Sequence, residues 1–132
     1  MLKVLLNRIH NELGPGYSES VYHNALEVEL RAANIQYETE RIIPISYRGH
    51  VIGNLRADLI IENSLIVELK AVRALTDDHV DQVRRYLQLT GIGQGLAVNF
   101  GKRLEMREVT AECFSKQTLN VEEGFCLQLE RS

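Results

Sequence analysis

The sequence predicts an α/β fold in which a mixed central β-sheet is flanked by α-helices. Amphipathic helical segments open the chain, β-rich runs follow from residue 37, and a strand, a helix and another strand succeed one another between residues 65 and 100. Two strands joined through a helix need a crossover connection and lie parallel, whereas strands joined by short turns lie antiparallel. The expected sheet therefore contains both arrangements.

Size and composition describe one soluble domain. The chain has 132 residues, of which 45% are hydrophobic and 25% are charged, and we expect a single domain over residues 1–132, with the fold of the tail from about residue 111 left open. No apolar run approaches the length of a membrane span, and no cleavage site follows the N-terminal residues. We therefore expect a cytoplasmic protein without a membrane partner.

Charge and cysteine content narrow the classes of function. The net charge of -3 argues against a protein that coats nucleic acid nonspecifically, but a metal-dependent nuclease carries acidic ligands and needs only a local basic rim. Cys113 and Cys126 match neither a zinc site nor a disulfide framework, which predicts plain structural thiols. They lie in the tail, where the alternation in FCLQL suggests an edge strand, with a contact to a partner as an equal alternative.

Two helices are expected at the N-terminus. Residues 2–13 carry apolar side chains at helical spacing, and the Gly-Pro-Gly at residues 14–16 ends this helix. Ser18 can cap a second helix that runs to about Asn34. Glu19 falls in its first turn, where the helix dipole alone would favour a carboxylate.

Strands and a third helix complete the expected fold. Two β-rich segments surround residues 48–50, and Pro44, which has no N–H for the ladder, should lie at a strand edge or a bulge. The third helix begins after the N-cap Thr76 and runs to about Thr90, where a glycine can close it. The later strands are expected at residues 94–100 and 105–110.

The stretch RADLIIENSLIVELKAV is a β-hairpin broken by the polar residues 62–64. Side chains alternate between the faces of a strand, and directly opposed residues on paired strands share a face. A two-residue turn would put Asp58 and Glu68 on opposite faces, whereas a three-residue loop or a bulge puts them on one face. With that loop, Leu59, Ile61, Val67 and Leu69 form an apolar face, and the other face carries Asp58, Ile60, Ile66, Glu68 and Lys70.

This arrangement predicts a divalent-cation site. Adjacent buried carboxylates such as Asp58 and Glu68 repel each other and are costly to desolvate unless a cation lies between them. Mg2+ prefers oxygen ligands and needs only one or two carboxylates besides water and substrate phosphate. Lys70 could then orient or deprotonate a water, or neutralise charge on phosphorus. On these residues alone, a strand-ending aspartate with a surface Glu–Lys ion pair is the alternative.

A second motif near the N-terminus supports the catalytic interpretation. The stretch GYSESVY holds Gly16, Glu19 and Tyr22 in the order G-x-x-E-x-x-Y. Together with an aspartate followed by Glu-x-Lys, this resembles the GxxExxY family of the PD-(D/E)xK nuclease superfamily, and the resemblance covers roughly residues 5–101. It implies a restriction-endonuclease-like core.

The resemblance also implies roles for individual residues. Asp58 and Glu68, with the backbone carbonyl of Leu69, would hold Mg2+ or Mn2+. Glu19 would complete the acidic shell directly or through water. Lys70 would orient the nucleophile and act in catalysis with the two carboxylates.

The third helix adds a further implied pair. Gln82 and Tyr86 match the Gln-x-x-x-Tyr that many RecB-like members carry on the helix after Glu-x-Lys, and in such relatives the glutamine approaches the catalytic lysine or its water. Gln82 is therefore the fourth catalytic candidate, with an ordinary polar helix edge as the alternative. The expected nucleic-acid contacts are Arg73, Arg84, Arg85, Tyr86, Lys102 and Arg103.

The preferred function is metal-dependent hydrolysis of phosphodiester bonds in nucleic acid, with DNA as the expected partner. The alternative is a catalytically silent nuclease-fold binding or regulatory protein that acts through a partner or an oligomer. Small size, acidic charge and the lack of a recognisable DNA-reading module favour that alternative. A metal-binding scaffold without nucleic-acid affinity is a third interpretation, and a homo-oligomer is compatible with each.

Overall fold

The structure, a computed structural model, describes residues 1–111. It begins with two helices, α1 over Leu2–Leu13 and α2 over Glu19–Ala32. Gly14 ends α1 with a φ of 70°, a conformation that glycine adopts without strain, and Ser18 precedes α2 in an extended conformation. Both expected N-terminal helices are confirmed.

Within residues 1–111, five strands form one sheet in the order β1-β2-β3-β4-β5. Their bounds are Tyr37–Tyr47 for β1, His50–Ile61 for β2, Leu65–Lys70 for β3, Gln94–Phe100 for β4 and Leu104–Thr110 for β5. The first three strands are antiparallel, β3 and β4 are parallel, and β5 returns antiparallel to β4. The predicted mixed sheet with flanking helices is thus confirmed.

The helix α3, over Asp77–Thr90, connects the parallel strands β3 and β4. Thr76 occupies its N-cap position, and the Thr76 backbone N–H donates a hydrogen bond to Nδ1 of His79 at 3.1 Å. Gly91 closes the helix in the left-handed conformation, and its N–H donates to the Leu87 carbonyl. These start and stop residues are the ones expected from the sequence.

Pro44 lies on β1, which is an edge strand of the sheet. The β1–β2 register shifts between Ile45 and Ser46, one residue after the proline. An edge position next to a bulge is where a residue without an N–H is tolerated, so the expectation for Pro44 is confirmed.

The sheet is the middle layer between two apolar cores. One core joins α1 and α2 to one face of the sheet and includes Leu6, Leu26, Val98 and other fully buried side chains. The other joins α3 to the opposite face through residues such as Val83 and Ile66. Because both faces are covered, the central strands β3 and β4 are buried along most of their length.

Two expectations from the sequence fall beyond the described chain. The possible edge strand of the tail and the cysteines Cys113 and Cys126 lie outside residues 1–111. Within residues 1–111, none of the helices has both the length and the apolar character needed to cross a membrane.

Candidate active site

The loop between β2 and β3 sets the register of the two candidate carboxylates. Ile61 pairs with Leu65, so the loop consists of the three residues 62–64, as predicted. Glu62 and Asn63 both have positive φ, and the Ser64 N–H donates to the Ile61 carbonyl at 3.0 Å. Continuing the same register away from the loop opposes Asp58 to Glu68.

The division of side chains between the two faces of the hairpin also follows the prediction. Leu59, Ile61, Val67 and Leu69 belong to the core beneath α1 and α2. Ile60 and Ile66 belong to the core beneath α3. Asp58 and Glu68 therefore follow Ile60 and Ile66 on the face of the hairpin that α3 covers, at the end away from the loop.

The carboxylates themselves link β2 to β3 where the backbone ladder ends. The last regular pair is Leu59 with Val67. Beyond it, the Leu69 N–H donates to Oδ2 of Asp58 at 3.0 Å, and the Asp58 backbone N–H hydrogen-bonds to the Glu68 carboxylate. The two side chains are thus held close together by reciprocal backbone hydrogen bonds.

Glu68 is an acidic group in an unfavourable environment. It is 5% exposed, and its Oε1 has no hydrogen-bond partner among residues 1–111. Burial and, to a smaller extent, the Asp58 charge together raise the pKa of Glu68 to about 8, while Lys70 opposes the shift. A buried carboxylate with one unsatisfied oxygen and an acidic neighbour favours a bound cation.

Glu19 is held at the start of α2 by a turn that Tyr22 stabilises. The Tyr22 ring is fully buried and stacks on Phe100 with 4.3 Å between centroids. Its hydroxyl donates to the Gly14 carbonyl and accepts an N–H within the same turn. Glu19 is exposed, and its charge makes the smallest contribution to the raised pKa of Glu68. Glu19 therefore lies near the pair, and its role as a ligand stays a prediction.

Gln82 and Tyr86 of α3 lie on the same side as the carboxylates. Nε2 of Gln82 donates to Oη of Tyr86 at 3.2 Å. Burial raises the pKa of Tyr86 to about 12, with further contributions from the charges of Glu68 and Asp58. These charges act on Tyr86 because it lies beside the carboxylates. The side chain is only 2% exposed, so it lies away from the surface, where a nucleic-acid contact was expected.

Both the sequence and the fold of this chain have counterparts among known proteins. A model of the PD-(D/E)XK nuclease superfamily matches residues 2–111. The chain belongs to this superfamily. A solved structure described as "Crystal structure of SSO0001" is 25% identical in sequence with a TM-score of 0.59, over 83% of this chain and 58% of that chain. The present chain therefore spans little more than half of that relative, and no curated protein matches it.

Superfamily membership and the observed sheet agree on the fold. The five-stranded mixed sheet with helices on both faces is consistent with the restriction-endonuclease-like core that the resemblance implied. Asp58 and the Glu-x-Lys of residues 68–70, the signature predicted from the sequence, lie on neighbouring antiparallel strands.

The donor set fits a divalent cation that needs few protein ligands. Among residues 1–111, no three histidine, cysteine or acidic side chains gather closely enough to enclose a metal ion. Asp58 and Glu68 therefore offer two carboxylates, and the unpartnered Oε1 of Glu68 is free to bind a cation. This suits Mg2+, which typically keeps several waters and uses one or two carboxylates together with substrate phosphate.

The candidate phosphate contacts are distributed over two regions. Arg73 follows β3, and Lys102 and Arg103 follow β4. Because these two strands are parallel, the three exposed residues lie at the same C-terminal end of the strands as Lys70. On α3, Arg85 is exposed and Arg84 is partly buried with an ion pair to Asp81 at 3.0 Å.

A polar residue that sequence reasoning missed fixes the backbone after Lys70. Asn99 is fully buried and is the register partner of Lys70 on β4. Its amide hydrogen-bonds both the N–H and the carbonyl of Val72, at 2.8 and 2.9 Å, and donates to Glu105 at 3.0 Å. Glu105 also accepts the Leu75 N–H, and the bonds from Asn99 and Leu75 lower its pKa. The sequence signal for this role was the presence of an asparagine within the largely apolar run QGLAVNF.

Proposed function

We propose that this chain is a metal-dependent nuclease that hydrolyses phosphodiester bonds in DNA, with Mg2+ or Mn2+ as its cofactor. The observation that carries the proposal is the Glu68 carboxylate, which is buried beside Asp58 with an unpartnered oxygen and a pKa near 8. Keeping two adjacent acids at this position costs stability in the absence of a cation. Membership in a superfamily of nucleases supports the same conclusion.

The proposed metal ligands are Asp58, Glu68 and the backbone carbonyl of Leu69, with Glu19, which does not gather with the other two acids, acting through water. The Leu69 N–H already holds Asp58 in place, so Asp58 is oriented before a cation binds. When bound, the cation would act as a Lewis acid that polarises the scissile phosphate.

Lys70 and Gln82 are the proposed groups that act on water and phosphate. Lys70 extends from the same strand as Glu68 and lies close enough to lower the Glu68 pKa, so its ammonium can orient the attacking water. Gln82 positions that water, and its hydrogen bond to Tyr86 restricts its side chain. Asn99 supports Lys70 by fixing the backbone at Val72.

The substrate contacts follow from exposed basic residues around the site. Arg73, Lys102 and Arg103 lie at the Lys70 end of the sheet and can contact phosphates, and the exposed Arg85 and the partly buried Arg84 extend the basic surface along α3. We also assign the chain to the GxxExxY family. The burial of Tyr22 and its hydrogen bond to Gly14 give that motif a structural reason, because they fix the turn before Glu19.

A cleavage panel tests the proposed function. Labelled single- and double-stranded DNA and RNA are incubated with the protein in Mg2+, in Mn2+ or in EDTA. We expect cleavage of DNA that depends on the divalent cation and is lost in Lys70→Ala, because that variant lacks the ammonium that acts on water.

Each other outcome of the panel has a distinct meaning. Cleavage that persists in Lys70→Ala contradicts the assigned site, and cleavage confined to RNA contradicts the assigned substrate. A folded protein that binds metal and DNA but cleaves none of the substrates would favour the catalytically silent regulatory alternative.

A further inference from the structure

The β1–β2 hairpin extends beyond the point where the rest of the sheet supports it. In the described chain, β2 pairs with β3 only over residues 59–61, but it pairs with β1 along its length. We refer to the two-stranded ribbon of residues 42–56 as the arm. It starts at the candidate site, because Asp58 lies two residues beyond Arg56.

One face of the arm is anchored on α3. Ile43 and Leu55 oppose each other in register and pack against the α3-side core, which also contains Ala57. Strict alternation would place Ala57 with Leu59 on the opposite side of the sheet. The change of side coincides with an irregularity in β1, where Glu40 has a φ of 53°. Because a free two-stranded ribbon is only marginally stable, this packing holds the arm in place.

The remainder of the arm exposes large apolar side chains. Ile42, Val51 and Ile52 are each more than half exposed, as is Tyr47 beside the turn. The Arg48 guanidinium lies 5.6 Å from the centre of the Tyr47 ring. Exposed apolar residues gathered on one projecting element indicate a binding surface.

The charge of the arm indicates the kind of partner. Residues 42–56 include Arg48, His50 and Arg56 but no aspartate or glutamate, although the whole chain has a net charge of -3. Within residues 1–111, Arg56 forms no side-chain hydrogen bond or ion pair. A basic element without acidic residues in an acidic protein is complementary to a polyanion.

We propose that the arm docks into the major groove of duplex DNA beside the candidate active site, an inference that rests on the proposed function. The major groove is about 12 Å wide and admits a two-stranded β-ribbon. At about 3.3 Å per residue, the tip of the arm lies about 26 Å along the strand from Asp58, less than one turn of the duplex. Arg48 and Arg56 contact phosphates, and the exposed apolar side chains contact base edges and sugars.

Duplex binding by arm variants tests this proposal. Affinity for a labelled DNA duplex is measured by fluorescence anisotropy across a range of salt concentrations, in a Lys70→Ala background that prevents cleavage. Arg48→Ala with Arg56→Ala removes two phosphate contacts, so we expect affinity to fall about tenfold and the salt dependence of binding to weaken by about two counterions. The matched control, Lys3→Ala with Arg31→Ala, removes two exposed charges away from the arm and should leave both quantities unchanged.

The remaining outcomes separate the arm from the proposed function. If the arm variant binds duplex as the control does, the arm proposal is overturned while the nuclease stands. If the protein with an intact arm neither binds nor cleaves DNA, the proposed function itself fails. If Val51→Ser with Ile52→Ser lowers the mass in light scattering without weakening DNA binding, the arm is an interface between copies of this chain, which also overturns the proposal. Thermal melts confirm that each variant is folded.

Discussion

Replacing Lys70 with alanine is expected to lower the rate of DNA cleavage by about 10²–10³-fold, the usual cost of removing one preorganised electrostatic group from an active site. Metal binding should respond in the opposite way. The Lys70 charge opposes the raised pKa of Glu68, which means that it partly neutralises the acidic pair. Without that ammonium, the carboxylates attract a divalent cation at least as strongly.

Asp58→Asn is the matched variant for this test, because it removes a charge of the opposite sign from the same site. We expect it to lose most of the thermal stabilisation that Mg2+ or Mn2+ gives the wild type. Thermal melts with and without metal, run beside single-turnover cleavage, separate the two roles. If Lys70→Ala stays folded but loses metal binding as completely as Asp58→Asn, Lys70 supports the site structurally and does not act on water.

The metal-free protein is expected to lose stability as the pH rises from about 4.5 to 8. The folded-state pKa of Glu68 lies near 8, above its ordinary value of 4.5, so the folded state keeps a proton that the unfolded state releases. The stabilisation is fully present below pH 4.5 and is lost as the pH rises through the folded-state pKa. At about 1.4 kcal/mol per pKa unit, the loss is on the order of 5 kcal/mol.

Denaturant unfolding in EDTA at several pH values measures this loss. Glu68→Gln mimics the protonated acid and should remove most of the pH dependence, whereas Glu62→Gln, at an exposed position of the same hairpin, should keep it. Addition of Mg2+ or Mn2+ at pH 8 should restore the stability of the wild-type protein. An identical pH dependence in wild type and Glu68→Gln would mean that the Glu68 carboxyl is hydrated in the folded protein.

Local sequence patterns predicted the elements and the register of the candidate site. Polar breaks, helix caps and the loop at residues 62–64 are short-range signals, and they were enough to oppose Asp58 to Glu68. A glycine at the C-terminal end of α1 and another at the C-terminal end of α3 are short-range signals of the same kind. These features depend on residues that are close together in the chain.

Features that depend on distant residues were not predictable. The burial of Tyr86 requires α3 to pack against the carboxylates, and the bonds of Asn99 to Val72 join residues 27 positions apart. Alternation also failed at Ala57, which changes side where β1 is irregular at Glu40. In each case, tertiary packing determined an orientation that local spacing left open.

Proton release on metal binding tests most directly whether Asp58 and Glu68 form a cation site. Mn2+ is titrated into the protein at pH 7 by calorimetry in two buffers with different ionisation enthalpies. Because the pKa of Glu68 is about 8, most of the protein carries a proton there at pH 7, and the cation must displace it. The account predicts release of most of one proton per Mn2+ in wild type and none in Glu68→Gln. Binding of Mn2+ with the same affinity and proton release in both proteins would contradict it.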